Sequence, residues 1–352
     1  MIESISFDKS QNIIFENTPM LSICIPTYNR CEELKSSLLN SIEVLRSLPE
    51  HKIELIVSDN GSSDETRNIM SVIQSENTDI QTVFIFNKQN EGFDKNYLQS
   101  IKHANGRYVW VVGDDDIFDV NSIQSIISKC LDGYDYIVFD GVGIDRYGKE
   151  VNFRLKEKFT SNVKVNEWEG DFDSFFGLYG WHSTWISVNV MRRSLLVKEI
   201  NNLDCFIGLQ FIHLPLMARS FYTCKVKVLN EIIVRDPPMY KPYASKYENI
   251  YNYFCNNLCG IVDMLVLQNK ISNKSAKHFL LGHSKTFSMF SLSFFLSNID
   301  NGVSLSHLVN NFNKIKRVST SPYILIFIML FPKGLLSKLI NEAKRFKRQI
   351  RK

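Results

Sequence analysis

The chain has 352 residues, of which 44% are hydrophobic and 22% are charged. These are globular values, so they exclude wholesale disorder, and the length is sufficient for one large domain or two smaller ones. The net charge is +4, yet residues 333–352 alone hold eight Lys or Arg and one Glu, so the basic character belongs to the C-terminal segment.

The cysteines and the most apolar stretch exclude further classes of protein. The seven cysteines are scattered and lie mostly in apolar runs. This is typical of reduced thiols in a cytosolic protein and indicates neither a disulfide framework nor a zinc site. Residues 323–331 form a run about half as long as a membrane-spanning helix requires, and prolines flank it. We therefore expect no membrane span.

The first 140 residues alternate between apolar runs and amphipathic segments. The runs predict strands at 21–26, 53–58, 82–87, 107–112 and 136–140. The three-to-four spacing of apolar residues between them predicts helices at 32–47, 64–74, 93–104 and 121–131. Near-continuous apolar strands that alternate with helices predict an α/β fold, in which a mostly parallel sheet is flanked by helices.

The alternation fades after residue 140. Residues 166–195 are rich in aromatic residues and glycine, and "RDPPMYKP" at 235–242 breaks regular structure. From about residue 245 onward the apolar spacing is helical. We therefore predict a boundary near residue 240, followed by a C-terminal helical region.

Polar loops follow four of the predicted strands. They read "PTYNR" at 26–30, "SDNGSSD" at 58–64, "NKQNEG" at 87–92 and "GDDD" at 113–116. Ligands of such sheets bind beyond the carboxyl ends of the strands, so we expect these loops to form one site.

The last of these loops places Asp114, Asp115 and Asp116 directly after a buried strand. Adjacent carboxylates repel one another by about 1 kcal/mol in water and by more in a drier cleft. The triplet therefore indicates a positively charged partner, although a solvated turn with a helix-capping Asp is the alternative reading.

The loops "PTYNR", "ELIVSDNGSSDETR", "NEGFDKN" and "GRYVWVVGDDD" together resemble those of family 2 glycosyltransferases, in that order and at that family's spacing. The resemblance covers about residues 20–140 and is closest to O-antigen-type sugar transferases. It implies a GT-A fold, a nucleotide-sugar donor and an inverting reaction. It divides the chain into an extension (1–19), a nucleotide-sugar-binding half (20–140), an acceptor-binding half (141–240) and the helical region (241–352).

The resemblance also implies roles for residues in the first three loops. Asp59 accepts a hydrogen bond from a pyrimidine ring, and Asn90 and Gly92 form the "N-x-G" turn. Arg30 either pairs with a phosphate or starts a helix in solvent. The base and ribose pocket is lined by Pro26, Thr27 and Tyr28. The chain has Asn60 where most of the family carries a second Asp.

The acid triplet resembles the family's D-x-D motif. It is read as Asp114 and Asp116, or, in a shifted alignment, with Asp115 as the direct ligand, so all three stay metal-ligand candidates. Mn²⁺ or Mg²⁺ takes oxygen ligands from carboxylates and from substrate phosphates, and would reconcile the triplet with a diphosphate.

The catalytic base is less defined by the sequence. Many relatives have a Glu-Asp pair after the aromatic segment, and residues 201–219 contain none. Asp204, His213 and His182 are the candidates for the base, and each is also compatible with a structural role. Trp181 and Trp185 suit either stacking on an acceptor sugar or packing in the core.

These readings predict a metal-dependent glycosyltransferase that uses a nucleotide-diphosphate sugar, with UDP favoured, in bacterial surface polysaccharide assembly. We expect a glycan acceptor, lipid-linked, and no nucleic-acid partner. The alternative is a catalytically silent GT-A protein that binds nucleotide or glycan as an assembly scaffold, which the missing Glu-Asp pair favours.

The C-terminal segment predicts the cellular location. Its leucines and Phe346 gather on one face of a helix, with lysines and arginines around it. Such helices lie in the headgroup region of anionic bilayers, although a solvated helix packed on the core has the same pattern. We expect a cytoplasmic protein, peripheral on the cytoplasmic face of the inner membrane.

Deletion of residues 333–352 is predicted to move the protein from the membrane fraction to the soluble fraction. Each lost cation removes about 1 kcal/mol of attraction to an anionic surface. The measurement is fractionation of cell lysates at low salt. Unchanged partitioning of the shortened protein would dismiss the anchor.

Overall fold

The structure is a computed structural model that describes residues 18–48, 53–145, 147, 149–151, 167–237, 247–287, 290 and 305–319. The strands are β1 (Leu21–Thr27), β2 (Ile53–Asp59), β3 (Thr82–Phe86), β4 (Tyr108–Val111), β5 (Tyr136–Ile144), β6 (Glu150–Val151), β7 (Glu167–Asp171), β8 (Asn189–Arg192) and β9 (Lys225–Asp236). The α-helices are α1 (Cys31–Arg46), α2 (Thr66–Glu76), α3 (Phe93–Lys102), α4 (Val120–Leu131), α5 (Phe172–Leu178), α6 (Arg193–Glu199), α7 (His213–Phe221), α8 (Tyr247–Tyr251), α9 (Cys259–Leu267), α10 (Asn273–Phe287), α11 (Leu305–Asn310) and α12 (Phe312–Val318).

The nine strands form one sheet in the order β3-β2-β1-β4-β8-β5-β9-β7, with β6 paired to β5. Strands β3, β2, β1 and β4 are mutually parallel, and β5 is parallel to β9. Strand β8 lies antiparallel between β4 and β5, so these two run in the same direction. The carboxyl ends of β1, β2, β3, β4, β5 and β9 therefore share one edge, which we call the carboxyl rim.

The α/β architecture predicted from the sequence is confirmed. All five strands and four helices predicted before residue 140 are present, with ends shifted by a few residues. The physical reason is burial, because every residue of β1, β2 and β4 is buried between helices. Such strands have to read as continuous apolar runs. Strand β1 runs one residue beyond Pro26, to Thr27.

The sheet continues past residue 140, where the alternation of the sequence fades. Strand β8 inserts into the middle of the sheet, and β9 extends it beyond β5. The pairing of β5 with β9 shifts register around Asp140, which bends the strands there. Strands from the second half of the chain thus complete the sheet formed by the first half.

The aromatic segment contributes to the core beside these strands. The ring of Tyr136 lies 5.3 Å from that of Phe175 and 5.0 Å from that of Phe221, measured between centroids. Phe176 stacks on Phe279 of α10 at 4.4 Å, which joins α5 to the helical region. Trp181 is fully enclosed, so its role is core packing.

The predicted helical C-terminal region is confirmed over the described residues. Helix α12 packs on α10 and is tied to α9 by a bidentate pair between Arg317 and Asp263, at 2.6 and 2.8 Å. No helix in the described parts of the chain is long and apolar enough to cross a bilayer. The predicted N-terminal extension, save its last two residues, and the basic segment 333–352 lie outside the described residues.

His213 is a buried histidine at the first position of α7. Its ring centroid lies 6.0 Å from that of Tyr97 and 6.1 Å from that of Phe211. Burial lowers the pKa of His213 to about 3, and the nearby backbone of Thr184 opposes this shift without reversing it. The imidazole is therefore neutral in the folded protein at physiological pH.

The buried His213 predicts a loss of stability on mild acidification. The imidazole of His213 binds a proton near pH 6.5 in the unfolded chain, whereas in the folded chain it does so only near pH 3. The contribution of this histidine to the free energy of unfolding is therefore complete above pH 6.5 and declines as pH falls toward 3. Between pH 7.5 and pH 5.5 the loss is about 1.4 kcal/mol. Urea unfolding of the wild type and His213→Phe at both values measures it, since the other titrating groups cancel in the comparison. Equal pH dependence in the two proteins would contradict the burial of a neutral imidazole.

Candidate active site

The first loop and the acid triplet meet directly at the carboxyl rim. Thr27 Oγ1 donates a hydrogen bond to Asp114 Oδ2 at 2.7 Å. Arg30 Nε lies 3.2 Å from Asp114 Oδ1, and Arg30 Nη2 donates to Asp115 Oδ2 at 2.6 Å. Arg30 is thus one positive partner of the triplet, and it joins two loops that are more than 80 residues apart in sequence.

Asp116 is held from another direction. Its carboxylate accepts hydrogen bonds from the backbone N–H of Gly113, at 3.1 Å, and from the Ser187 hydroxyl, which precedes β8. Gly113 N–H also lies 3.1 Å from Ser187 Oγ. The triplet is therefore divided, because Asp114 faces β1 and Asp116 faces β8.

Burial of this many carboxylates is electrostatically unfavourable. Burial raises the pKa of Asp114 to about 7, with Arg30 opposing the shift and Asp115 adding to it. Burial, followed by repulsion from Asp115, raises the pKa of Asp116 to about 8. A single arginine therefore does not compensate the charge of the site.

Asp236 joins the triplet and is a site residue that the sequence reasoning missed. Oxygen atoms of Asp115, Asp116 and Asp236 all lie within 4.8 Å of one another. Asp236 is the last residue of β9, and a pair of backbone hydrogen bonds between Ile117 and Arg235 brings the end of β9 beside the triplet. The signal in the sequence was an acid at the end of an apolar strand, as at Asp59.

The donor set fits a hard divalent cation. Mg²⁺ and Mn²⁺ take oxygen ligands, and three carboxylates from two segments converge here. A dipositive ion would also supply a positive charge that compensates the buried carboxylate of Asp116. Mn²⁺ or Mg²⁺ would be held by Asp115, Asp116 and Asp236, whose oxygens lie together, while Asp114 bonds to Thr27 on the side of β1.

Asp59 forms a second anchor at the rim, at the end of β2. Its fully buried carboxylate accepts hydrogen bonds from the backbone N–H of Ser62, at 3.0 Å, and from Arg67 Nε, at 2.7 Å. Arg67 also donates to the carbonyl of Asn87, so it joins the second loop to the third. Arg67 was not among the predicted site residues.

Gly61 makes the second loop possible. Its φ is +76°, and a Cβ there would lie 2.4 Å from the carbonyl carbon of Gln89. Both the left-handed backbone and this close approach require glycine. The loops that follow β2 and β3 are therefore in direct backbone contact.

Asparagine side chains fasten these loops to β1. Asn60 Nδ2 donates to Asn90 Oδ1 at 3.0 Å, and Asn90 Oδ1 also accepts from the N–H of Gly92 at 2.8 Å. Asn96 Nδ2 donates to the carbonyl of Ser58 at 2.9 Å and, at 3.3 Å, to that of Thr27. The Asn that replaces the family's second Asp thus has a structural contact with the predicted "N-x-G" turn.

The remaining residues of the predicted base pocket differ in exposure. Tyr28 is 40% exposed and stands at the open side of the rim, whereas Pro26 is buried within β1. Asp64 accepts hydrogen bonds from the N–H of Cys31 and of Thr66, which start α1 and α2. Its role is therefore structural.

The three base candidates differ in their surroundings. His182 is fully buried, and its Nε2 lies 3.0 Å from the carbonyl oxygen of Phe139 and 3.3 Å from Asp140 Oδ1. Asp204 is exposed at the start of a 3-10 turn (Asp204–Phe206), and His213 is enclosed as described above. The ring of Trp185 covers Gly141 on β5. Which residue is the base stays a prediction.

The chain is similar in sequence to known proteins. The chain is 39% identical to abequosyltransferase RfbV from Salmonella typhimurium over 113 residues, 32% of this chain and 33% of that protein. It is 27% identical to GalNAc(5)-diNAcBac-PP-undecaprenol beta-1,3-glucosyltransferase from Campylobacter jejuni over 165 residues, 45% of this chain and 52% of that protein. The chain thus matches between a third and about half of the length of these relatives.

A solved structure and a family model extend the comparison. The crystal structure of S. aureus TarS 1-349 in complex with UDP-GlcNAc matches with a TM-score of 0.58 and 16% identity, over 87% of this chain and 83% of that one, which supports the predicted GT-A fold. The model of "Glycosyl transferase family 2" matches residues 22–197, half of the chain and all four polar loops predicted from the sequence. The protein therefore belongs to glycosyl transferase family 2.

Proposed function

We propose that the protein transfers a sugar from a nucleotide-diphosphate sugar, with UDP favoured, to a glycan acceptor. The observation that carries the proposal is the meeting of Arg30, the acid triplet and Asp236 at the carboxyl rim, beside the Asp59 loop. Cations are needed there for the carboxylates and for the diphosphate, and the family membership supplies the reaction class.

The chain's own residues orient the donor in this proposal. Asp59 is held between Ser62 and Arg67, and its carboxylate is the proposed acceptor for an N–H of a pyrimidine ring. Tyr28 covers the base from the exposed side of the pocket, and Arg30 faces the diphosphate from the loop that follows β1. Bound Mn²⁺ or Mg²⁺ would stabilise the negative charge that develops on the departing diphosphate.

The proposed reaction is a single displacement at the anomeric carbon. The bond from that carbon to the diphosphate oxygen breaks, and a bond to the acceptor oxygen forms on the opposite face, which inverts the configuration. The acceptor's proton goes to a base, for which Asp204, His213 and His182 are the candidates. Asp204 is the exposed member of the three, whereas both histidines are buried.

The acceptor is proposed to be lipid-linked, in the assembly of bacterial surface polysaccharide such as O-antigen. Two relatives support this, since one is an abequosyltransferase and the other is named as a glucosyltransferase of an undecaprenol-PP glycan. Peripheral attachment to the cytoplasmic face through residues 333–352 would bring the enzyme to such an acceptor. The scaffold alternative stays open because residues 201–219 lack the Glu-Asp pair.

Alanine substitution of the acid cluster tests the proposal. We expect Mn²⁺-dependent hydrolysis of a UDP-sugar by the wild type, and a decrease of at least about 100-fold in Asp115→Ala, Asp116→Ala and Asp236→Ala, because several kcal/mol of charge stabilisation are lost. Asp114→Ala is expected to lose activity as well, since Arg30 loses a partner. The measurement is release of UDP from a panel of UDP-sugars, with and without Mn²⁺.

Asp132→Ala is the matched control, because Asp132 is an exposed carboxylate that follows α4 and pairs with Lys129. It should retain wild-type hydrolysis. UDP binding without hydrolysis of any sugar in the panel would favour the scaffold alternative. Hydrolysis that persists in Asp116→Ala without metal would contradict the proposed site.

A further inference from the structure

Asp94, in the motif "NEGFDKN", has a contact that reaches across the chain. It is the second residue of α3 and is 3% exposed. Its Oδ2 accepts hydrogen bonds from the backbone N–H of Gly208, at 2.8 Å, and of Gln210, at 2.9 Å. Its Oδ1 accepts a longer one from Ile212, at 3.4 Å. One buried carboxylate therefore holds the loop 208–212, more than 110 residues away.

The conformation of this loop depends on such an acceptor. Gly208 has a φ of +88° and Gln210 a φ of +66°, and a side-chain-bearing residue is rarely left-handed. This backbone turns alternate N–H groups toward one point, where Asp94 stands. Burial raises the pKa of Asp94, and the N–H groups of Gln210, Gly208 and Ile212 oppose that shift by stabilising the charged form.

Topology places the loop 208–212 at the carboxyl rim. Strand β8 is antiparallel to β4, so β8 ends at the side of the sheet opposite the carboxyl rim, and α6 starts there. Strand β9 is parallel to β5, so it also starts at the side opposite the rim. The chain between α6 and α7 must therefore turn at the rim. Helix α3 also begins at the rim, and α6 packs against it.

The loop 208–212 consequently borders the loops that are predicted to bind the nucleotide sugar. Asp94 is two residues after Gly92, which forms the predicted "N-x-G" turn, and two residues before Asn96, which bonds to the carbonyl of Thr27. Gly208 and Gln210 are exposed, so this loop presents its outer side to solvent at the rim. It also carries the chain from candidate base Asp204 to candidate base His213.

From this geometry we infer that Asp94 is a positioning residue, which holds the loop 208–212 against the donor loops as the wall on the nucleophile's side of the active site. The inference rests on the proposed function. It implies that Asp94 acts on the chemical step through the loop, while donor binding depends on the separate contacts of Asp59 and the asparagines.

Asp173 provides a matched control. It is likewise the second residue of its helix, α5, and its Oδ1 accepts a hydrogen bond from a remote backbone N–H, that of Ser272, at 2.7 Å. Helix α5 follows β7 at the far edge of the sheet, so this contact fastens α10 rather than the rim. The two substitutions thus remove a carboxylate anchor at the rim, in the case of Asp94, and away from the rim, in the case of Asp173.

The experiment uses the full chain with Asp94→Ala, Asp94→Asn and Asp173→Ala. The probes are Mn²⁺ with UDP-glucose, UDP-galactose or UDP-N-acetylglucosamine, whichever the wild type hydrolyses fastest, and hydrogen exchange of the amides in 207–212. In Asp94→Ala we expect kcat to fall between about 10- and 100-fold, as for small misplacements of catalytic groups, with KM within about twofold. Exchange of the loop amides should rise, and Asp94→Asn, which keeps one acceptor oxygen, should be intermediate.

Asp173→Ala should leave kcat, KM and exchange in 207–212 at wild-type values. Unchanged exchange in Asp94→Ala contradicts the anchoring, and faster exchange with unchanged kcat contradicts the role of the loop. A rise in KM with kcat preserved would place the loop on the donor side and overturn the inference. Absence of hydrolysis by the wild type contradicts the proposed function itself, and the role of the loop with it.

Discussion

Carboxylates that are buried close together at the carboxyl rim determine how the rest of the site is built. Asp114 and Asp116 are 7% and 2% exposed, and Asp236 lies with Asp115 and Asp116 in one cluster. Burial and repulsion from Asp115 both raise the pKa of Asp114 and of Asp116, and so favour the neutral form of these two acids. Arg30 offsets part of this cost through Asp114 and Asp115. The balance favours a dipositive ion, which would offset the charge of the carboxylates and would also bind the oxygens of a diphosphate.

The fold tolerates this concentration of charge because burial of apolar surface in the rest of the sheet offsets its cost. Three enclosed strands, β1, β2 and β4, end together and release their polar loops at one edge. Strand β9 ends at that edge as well, and the Ile117–Arg235 bridge holds it there. Hydrogen bonds from Asn60, Asn96 and Arg67 then join the loops to one another. The site is therefore assembled at the ends of five strands of one sheet, β1, β2, β3, β4 and β9.

Much of this organisation could be predicted from the sequence, and the limit has a physical cause. The apolar runs that form β1 to β5 indicate burial locally, so they located the strands within a few residues, and the loops followed from the strands. The position of β8 between β4 and β5 depends on pairing between distant segments, which no local pattern encodes. Asp236 was missed for this reason, since only the pairing of β9 within the sheet brings it beside the acid triplet. Arg67 was missed because an arginine on a polar helix face reads as a solvated one.

The candidate bases show the same limit, because the local sequence does not reveal whether a histidine is buried. His182 and His213 are polar residues in apolar surroundings, a pattern shared by catalytic and by enclosed histidines. Their burial became apparent only with the packing of β5 on the 3-10 turn (His182–Thr184) and of α7 on Tyr97. The carboxylate of Asp94, conversely, looks like an ordinary residue in the first turn of a helix. Its partners are the amides of a loop from the other half of the chain.

The metal site is tested most directly by titration of Mn²⁺ into the 352-residue protein, followed by electron paramagnetic resonance, with and without UDP. We expect one bound Mn²⁺ per chain, bound more tightly when UDP is present because the diphosphate supplies further oxygen ligands. Asp236→Ala should weaken this binding strongly. Equal Mn²⁺ binding by the wild type and Asp236→Ala, or UDP binding that is indifferent to Mn²⁺ in both, would contradict it.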